Sequence, residues 1–139
     1  MTYLYIALHA VHLEPGEKAD LSTHELDIFL GGHFLVSHHD EPVPAISRVW
    51  DRCQRDERHT QSDADHLAYL VADELASGYM EVFEAMDGML DIVEDEIFSD
   101  PRSTTVERIF VLKRAILDLR RILAPQREVL NRLARDDYA

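Results

Sequence analysis

The sequence predicts an α+β fold in which a small β-sheet is followed by two long antiparallel helices. Residues 1–40 are rich in β-prone apolar stretches, which favours strands. Apolar residues then recur every three or four positions over 62–98 and again over 103–139, which is typical of long helices with a coiled-coil-like stripe. At 139 residues, the chain is long enough for one domain with its own core.

The strands are predicted from two segments. Residues 3–13, "YLYIALHAVHL", are apolar on both alternating faces, which is typical of a central strand covered on both sides. Residues 25–38 predict a hairpin in which Gly31 and Gly32 form a two-residue turn with positive φ. The expected cross-strand pairs are Phe29 with Phe34 and Ile28 with Leu35. Three strands with two covered faces do not complete a sheet, so we expect further chain before the first residue and after the last.

Three helices are expected after the strands. A short amphipathic helix is predicted over 44–58, a long acidic helix over 62–98 and a basic helix over 103–139. The long helix would extend about 54 Å. Pro125 interrupts the last helix at a cost of about 3 kcal/mol, although apolar residues keep their helical spacing on both sides of it.

The charge of the chain is strongly negative and unevenly distributed. The net charge of −13 argues against nucleic-acid binding. Residues 59–101 contain no Lys or Arg and many acids, whereas most of the charged residues over 102–135 are basic. The only cysteine is Cys53, so no intrachain disulfide can form, which fits a reducing compartment.

A row of carboxylates on the long helix is the strongest chemical feature. Hard cations such as Mg²⁺ bind oxygen ligands and keep several waters, so such a row would attract them loosely. The residues predicted to attract a metal from this spacing are Asp87, Asp91, Glu94 and Asp95. The alternative is a solvated helix face that is neutralised by basic residues of the last helix. The eight histidines have no local ligand spacing, so we expect structural or surface roles for them. No nucleophile elbow or phosphate loop is present, so we expect neither an enzyme nor a tightly bound cofactor.

Two consecutive segments of the helical half are "DADHLAYLVADELASGYMEVFEAMDGMLDIVEDEIFSDP" and "TVERIFVLKRAILDLRRILAPQREVLNRLARDD". Together they resemble the CorA family of magnesium and divalent-cation transporters. Leu67, Tyr69, Asp73 and Tyr79 match a Leu–Tyr–Asp–Tyr rhythm of the family, and Pro125 stands before "REVL" as it does there. The strand, hairpin and short-helix segments are also similar, so the resemblance covers nearly the whole chain.

The resemblance implies that residues 1–139 are part of a cytoplasmic domain, an α/β/α sandwich, that regulates a pentameric channel of the inner membrane. The parent would transport Mg²⁺, or Co²⁺ and Ni²⁺, and close when intracellular Mg²⁺ is high. The last helix would begin the stalk that leads to the membrane, and the fragment itself would not transport. Asp73 occupies an aspartate position of the family and is added to the predicted metal residues, although Ser77 and Gly78 stand where many members have two acids.

Two alternatives remain open at this point. The chain could belong to a zinc-transporting branch of the same superfamily, towards which the histidine count points weakly. It could also be a freestanding soluble protein that uses its helical hairpin to bind a partner.

Overall fold

The computed structural model describes residues 2–135 and contains a three-stranded antiparallel sheet followed by helices, so the predicted α+β fold is confirmed. The strands are β1 (Tyr3–Glu14), β2 (Asp20–Gly31) and β3 (Leu35–His38). The helices are α1 (Pro44–Arg55), α2 (Arg58–Gln61), α3 (Ala64–Ser99) and α4 (Ser103–Ala134). The part of the predicted last helix over 136–139 lies outside the described residues.

In the described sheet the strand order is β1-β2-β3, so β1 lies at an edge and β2 at the centre. Within residues 2–135, β1 therefore does not have the central position that was expected for residues 3–13. The short connection over 15–19 folds β2 back on one edge of β1, with Tyr3 opposite Gly31, and no described strand pairs with the other edge. Gly16 has a φ of 154° in this turn, a conformation that favours glycine.

The turn between β2 and β3 also differs from the prediction. The Gly31 N–H donates to the Phe34 carbonyl at 2.9 Å, so Gly32 and His33 occupy the centre of the turn. Neither Gly31 nor Gly32 has a positive φ. Gly31 is instead favoured by close packing, because a Cβ there would lie 2.3 Å from the Phe34 ring. The observed partners, two residues beyond the predicted ones, are Phe29 with Val36 and Ile28 with Ser37.

The core consists of two clusters of buried residues, and each cluster includes residues of β1. Ile6 and Leu8 belong to the first cluster, with α1 and the first turns of α3. Val11 and Leu13 belong to the second cluster, with the middle of α3 and the first half of α4. Even-numbered residues of β1 are buried before His9, and odd-numbered residues are buried after it. Because successive side chains of a strand point to opposite faces, both faces of β1 carry apolar residues although it is an edge strand.

The helices α3 and α4 form an antiparallel hairpin with a connection of only three residues. Thr105 secures the connection, because its Oγ1 accepts the Arg102 N–H at 3.1 Å and donates to Glu96 at 3.0 Å. The helix α2 has no counterpart among the predicted elements, and the predicted helix over 44–58 ends at Arg55. The α/β/α sandwich that the resemblance implies stays a prediction.

Candidate cation-attracting face and its coupling to the sheet

All the residues predicted to attract a metal lie on α3, and all are exposed. They are Asp73, Asp87, Asp91, Glu94 and Asp95. With 3.6 residues per turn, Asp73, Asp91 and Asp95 project from the side of the helix opposite the buried residues, which are Val82, Met86 and Val93. Asp87 and Glu94 project from the flanks. We call these five residues the acidic face.

The carboxylates of α3 fall into two groups according to their partners. Glu74 lies 3.6 Å from both Arg48 and Arg52 of α1, and Glu96 forms an ion pair with Arg108 of α4. In contrast, no side chain of the acidic face makes a hydrogen bond or ion pair with another of the described residues. The basic residues of α4 therefore do not neutralise the acidic face by direct contact.

Repulsion between neighbouring carboxylates is a consequence of this arrangement. Like charges at positions i and i+4 destabilise a helix by about 0.2–0.5 kcal/mol per pair, and Asp87, Asp91 and Asp95 have this spacing. The screening length is about 8 Å at physiological ionic strength, so bulk salt weakens the repulsion between these closer neighbours, and a cation beside the face relieves it further. Between residues 2 and 135, no three His, Cys, Asp or Glu side chains converge on a point that could hold a metal. The face is thus an extended row of carboxylates, and ligation by its members stays a prediction.

An apolar groove of about 810 Å³ borders the acidic face between α3 and α4. Asp87 and Leu90 line it from α3, and Ile116, Arg120 and Arg127 line it from α4. Basic side chains therefore lie across the groove from the carboxylates without forming an ion pair within 4.0 Å. This groove separates the acidic and the basic helix on one side of the hairpin.

A partly buried polar contact joins α3, α4 and β1. The His9 backbone N–H donates to Gln126 Oε1 at 2.9 Å. The Tyr79 hydroxyl lies 2.6 Å from the His9 carbonyl oxygen and 2.5 Å from Gln126 Oε1, so it donates to this pair of acceptors. Burial raises the pKa of Tyr79 to about 12, so the hydroxyl stays protonated at neutral pH. We call Tyr79, Gln126 and the backbone of His9 the His9 junction.

The His9 junction satisfies the free edge of β1 at its centre. An edge strand presents unpaired N–H and C=O groups, and proteins commonly cover them. Gln126 is only 3% exposed and follows Pro125, whose missing N–H and ring bend a helix. Pro125 and Gln126 line a cavity of about 300 Å³ against β1, so the α4 segment at the proline faces the sheet.

Sequence reasoning did not single out Gln126, and it identified Tyr79 only as part of a pattern. One feature of the sequence does indicate a buried role for Gln126. Gln126 is a polar residue between Leu123 and Leu130 on the apolar stripe of α4, where a buried hydrogen bond is the usual reason for a polar side chain.

The whole sequence, residues 1–139, matches the family described as CorA-like Mg²⁺ transporter protein. The chain belongs to the CorA-like family. The predicted resemblance is therefore confirmed, and with it the assignment to a family of divalent-cation transporters.

Three relatives show how much of a CorA-like protein this chain represents. The putative metal ion transporter YfjQ of Bacillus subtilis (strain 168) is 27% identical over 136 residues, which cover 98% of this chain and 41% of YfjQ. The cobalt/magnesium transport protein CorA of Thermotoga maritima is 40% identical over 73 residues, which cover 52% of this chain and 21% of that protein. The divalent cation transporter CmaX of Pseudomonas aeruginosa is 27% identical over 134 residues, which cover 95% of this chain and 39% of CmaX. The chain thus spans at most about two fifths of the length of these relatives.

A solved structure shows the same fold. The structure of the full-length CmaX protein superimposes with a TM-score of 0.72 at 23% identity, covering 99% of this chain and 41% of that one. In this CorA-like chain, none of the helices found between residues 2 and 135 has the length and apolar character needed to cross a membrane.

Proposed function

We propose that this chain is the cation-sensing, regulatory part of a pentameric channel for Mg²⁺ that also accepts Co²⁺ or Ni²⁺. Family membership supports a role in divalent-cation transport. The observation that carries the sensing role is the acidic face, whose exposed carboxylates have no partner among the described residues. In this proposal the chain lies on the cytoplasmic side of the inner membrane and neither transports ions by itself nor catalyses a reaction.

In this proposal, the His9 junction couples cation binding on α3 to the position of α4. Cations beside the acidic face reduce repulsion between its carboxylates and so stabilise α3. Tyr79 belongs to α3 and contacts both His9 and Gln126, so a displacement of α3 changes the contact that holds α4 on the sheet. In the proposed channel, α4 is the beginning of the stalk, and its position would report the cation concentration to the pore.

The oligomeric part of the proposal rests on what a single chain leaves incomplete. No three potential ligands converge within residues 2–135, so a site on the acidic face would need carboxylates of a neighbouring subunit. Apolar side chains also remain exposed on the helical hairpin, including Phe98 at 82% and Phe110 at 61%. Packing of such residues between copies of the chain is the usual way to remove them from water.

Thermal unfolding in MgCl₂ and in NaCl of equal ionic strength tests the sensing role. We expect Mg²⁺ to raise the melting temperature more than Na⁺ does, because a dication beside the acidic face relieves repulsion that monovalent screening only weakens. Amide substitution of the four acidic-face residues other than Asp73 should abolish this difference. The variant carries Asp87→Asn, Asp91→Asn, Glu94→Gln and Asp95→Asn.

A matched control carries the same change of charge elsewhere on the surface. Its substitutions are Asp20→Asn, Asp40→Asn, Asp51→Asn and Glu41→Gln. This control should keep the difference between Mg²⁺ and Na⁺. Equal melting shifts from the two salts in the unsubstituted chain would reduce the effect to screening and overturn the proposal.

A further inference from the structure

Two histidines meet where α3 begins. His59 of α2 and His66 of α3 place Nδ1 and Nε2, respectively, 3.0 Å apart, with ring planes that differ by 13°. Both side chains are half-buried. The seven-residue separation in sequence is not a ligand spacing within one helix, so the pair depends on the fold that α2 gives to this segment.

We propose that His59 and His66 bind a transition-metal dication such as Zn²⁺, Co²⁺ or Ni²⁺ through these two nitrogens. Zinc–nitrogen bonds of 2.0–2.1 Å at a tetrahedral angle place two ligand nitrogens about 3.3 Å apart, so the observed pair needs to open by only about 0.3 Å, with a rotation of the rings. Imidazole suits these ions, whereas Mg²⁺ prefers oxygen ligands. The site lies at the opposite end of α3 from Asp95 and takes a different class of ion from the proposed sensing face.

Hydrogen bonds hold the backbone around the pair. The His59 N–H donates to the Asp56 carbonyl at 3.2 Å, and the His66 N–H donates to the Asp63 carbonyl at 3.0 Å. Ser62 Oγ donates to the Arg58 carbonyl at 2.8 Å. These contacts fix the segment that carries both rings before any ion binds, which lowers the entropic cost of binding.

The proton balance of the site follows from the geometry. In the ion-free pair, one nitrogen carries the proton of an N–H···N hydrogen bond and the other accepts it. For an ion to bind both nitrogens, that proton moves through solvent to the far nitrogen of the same ring, so two neutral imidazoles bind without net proton release.

Water fills the remaining coordination positions, because within residues 2–135 no third His, Cys, Asp or Glu completes a cluster. The surrounding charge still favours a cation. Glu57, Asp63 and Asp65 are exposed and lie within the same segment, while Asp56 is paired with Arg58 through a 2.7 Å contact. We therefore expect a site of modest affinity for one ion.

Calorimetric titration of ZnCl₂ into the untagged chain tests the proposal. We expect one Zn²⁺ to bind, and either His59→Gln or His66→Gln to weaken binding by at least about tenfold. His33→Gln is the matched control, because His33 is exposed and has no side-chain partner in the described part of the chain. The control, and an excess of MgCl₂, should leave Zn²⁺ affinity unchanged.

Nitrogen NMR of the imidazole rings in the unsubstituted chain gives a readout that does not depend on whether the variants fold. The ring signals of His59 and His66 should move first during the titration and saturate together. An absence of Zn²⁺ binding, an equal loss of affinity in His33→Gln, or earlier movement of another histidine would overturn the proposal and leave the pair as a hydrogen bond between α2 and α3.

Discussion

Replacing Gln126 with leucine should lower the free energy of unfolding by about 1–3 kcal/mol, the usual cost of leaving a buried polar group without a partner. Leucine fills a similar volume, so little of the effect comes from a cavity. It removes Oε1, which accepts the His9 N–H at 2.9 Å, and that N–H has no strand partner because it faces away from β2. Tyr79 keeps the His9 carbonyl as an acceptor at 2.6 Å, so only one buried group loses its partner.

Urea unfolding followed by circular dichroism measures this loss. Gln54→Leu is the matched control, because Gln54 is exposed on α1 and its substitution should change stability by no more than about 0.5 kcal/mol. Combining Gln126→Leu with Tyr79→Phe should give a coupling energy of about 0.5–3 kcal/mol, because the two side chains are 2.5 Å apart. Equal destabilisation by Gln126→Leu and Gln54→Leu would refute the reasoning about the His9 junction.

Two further predictions concern the sheet and pH. Gly31→Ala should destabilise the chain by about 1–3 kcal/mol in thermal unfolding, because its Cβ would meet the Phe34 ring at 2.3 Å, whereas Gly32→Ala has nothing within 4 Å and should be nearly neutral. Burial raises the pKa of Tyr79 to about 12 from an unfolded value of about 10, so its contribution to stability is complete below about pH 10 and is lost as the pH rises towards 12. Denaturant unfolding at successive pH values should therefore show a shallower loss in Tyr79→Phe, and an equally steep loss would contradict this assignment.

The long helices could be predicted from the sequence because their signals are local. Apolar spacing and Asp100-Pro101 gave a helix over 62–98, and the observed α3 is Ala64–Ser99. The strand order of the sheet could not be predicted, because the alternation of apolar and polar residues does not indicate which strands are neighbours. Residues 3–13 are apolar on both faces because two separate clusters share β1, and not because the strand is central. The predicted register of β2 and β3 was wrong by two residues because the turn is centred on Gly32 and His33 and not on Gly31 and Gly32.

The location of the acidic face on α3 could also be predicted, since helical spacing alone places its members on one side. The pairing of Glu74 with Arg48 and Arg52, which separates it from the unpaired acids, depends on how α1 packs on α3. The contact between His59 and His66 depends on a four-residue helix that is too short to leave a periodic pattern. Both are tertiary contacts, and local patterns in a single sequence do not reveal such contacts.

Amide NMR during a MgCl₂ titration, with ionic strength held constant by NaCl, tests the sensing role most directly. If the acidic face senses Mg²⁺, the largest saturating shifts should fall on residues 87–95, with a smaller change at Tyr79 and Gln126 that follows the same saturation curve. Shifts that are spread evenly along the chain, or that appear equally when only NaCl is added, would contradict the proposed sensing role of α3.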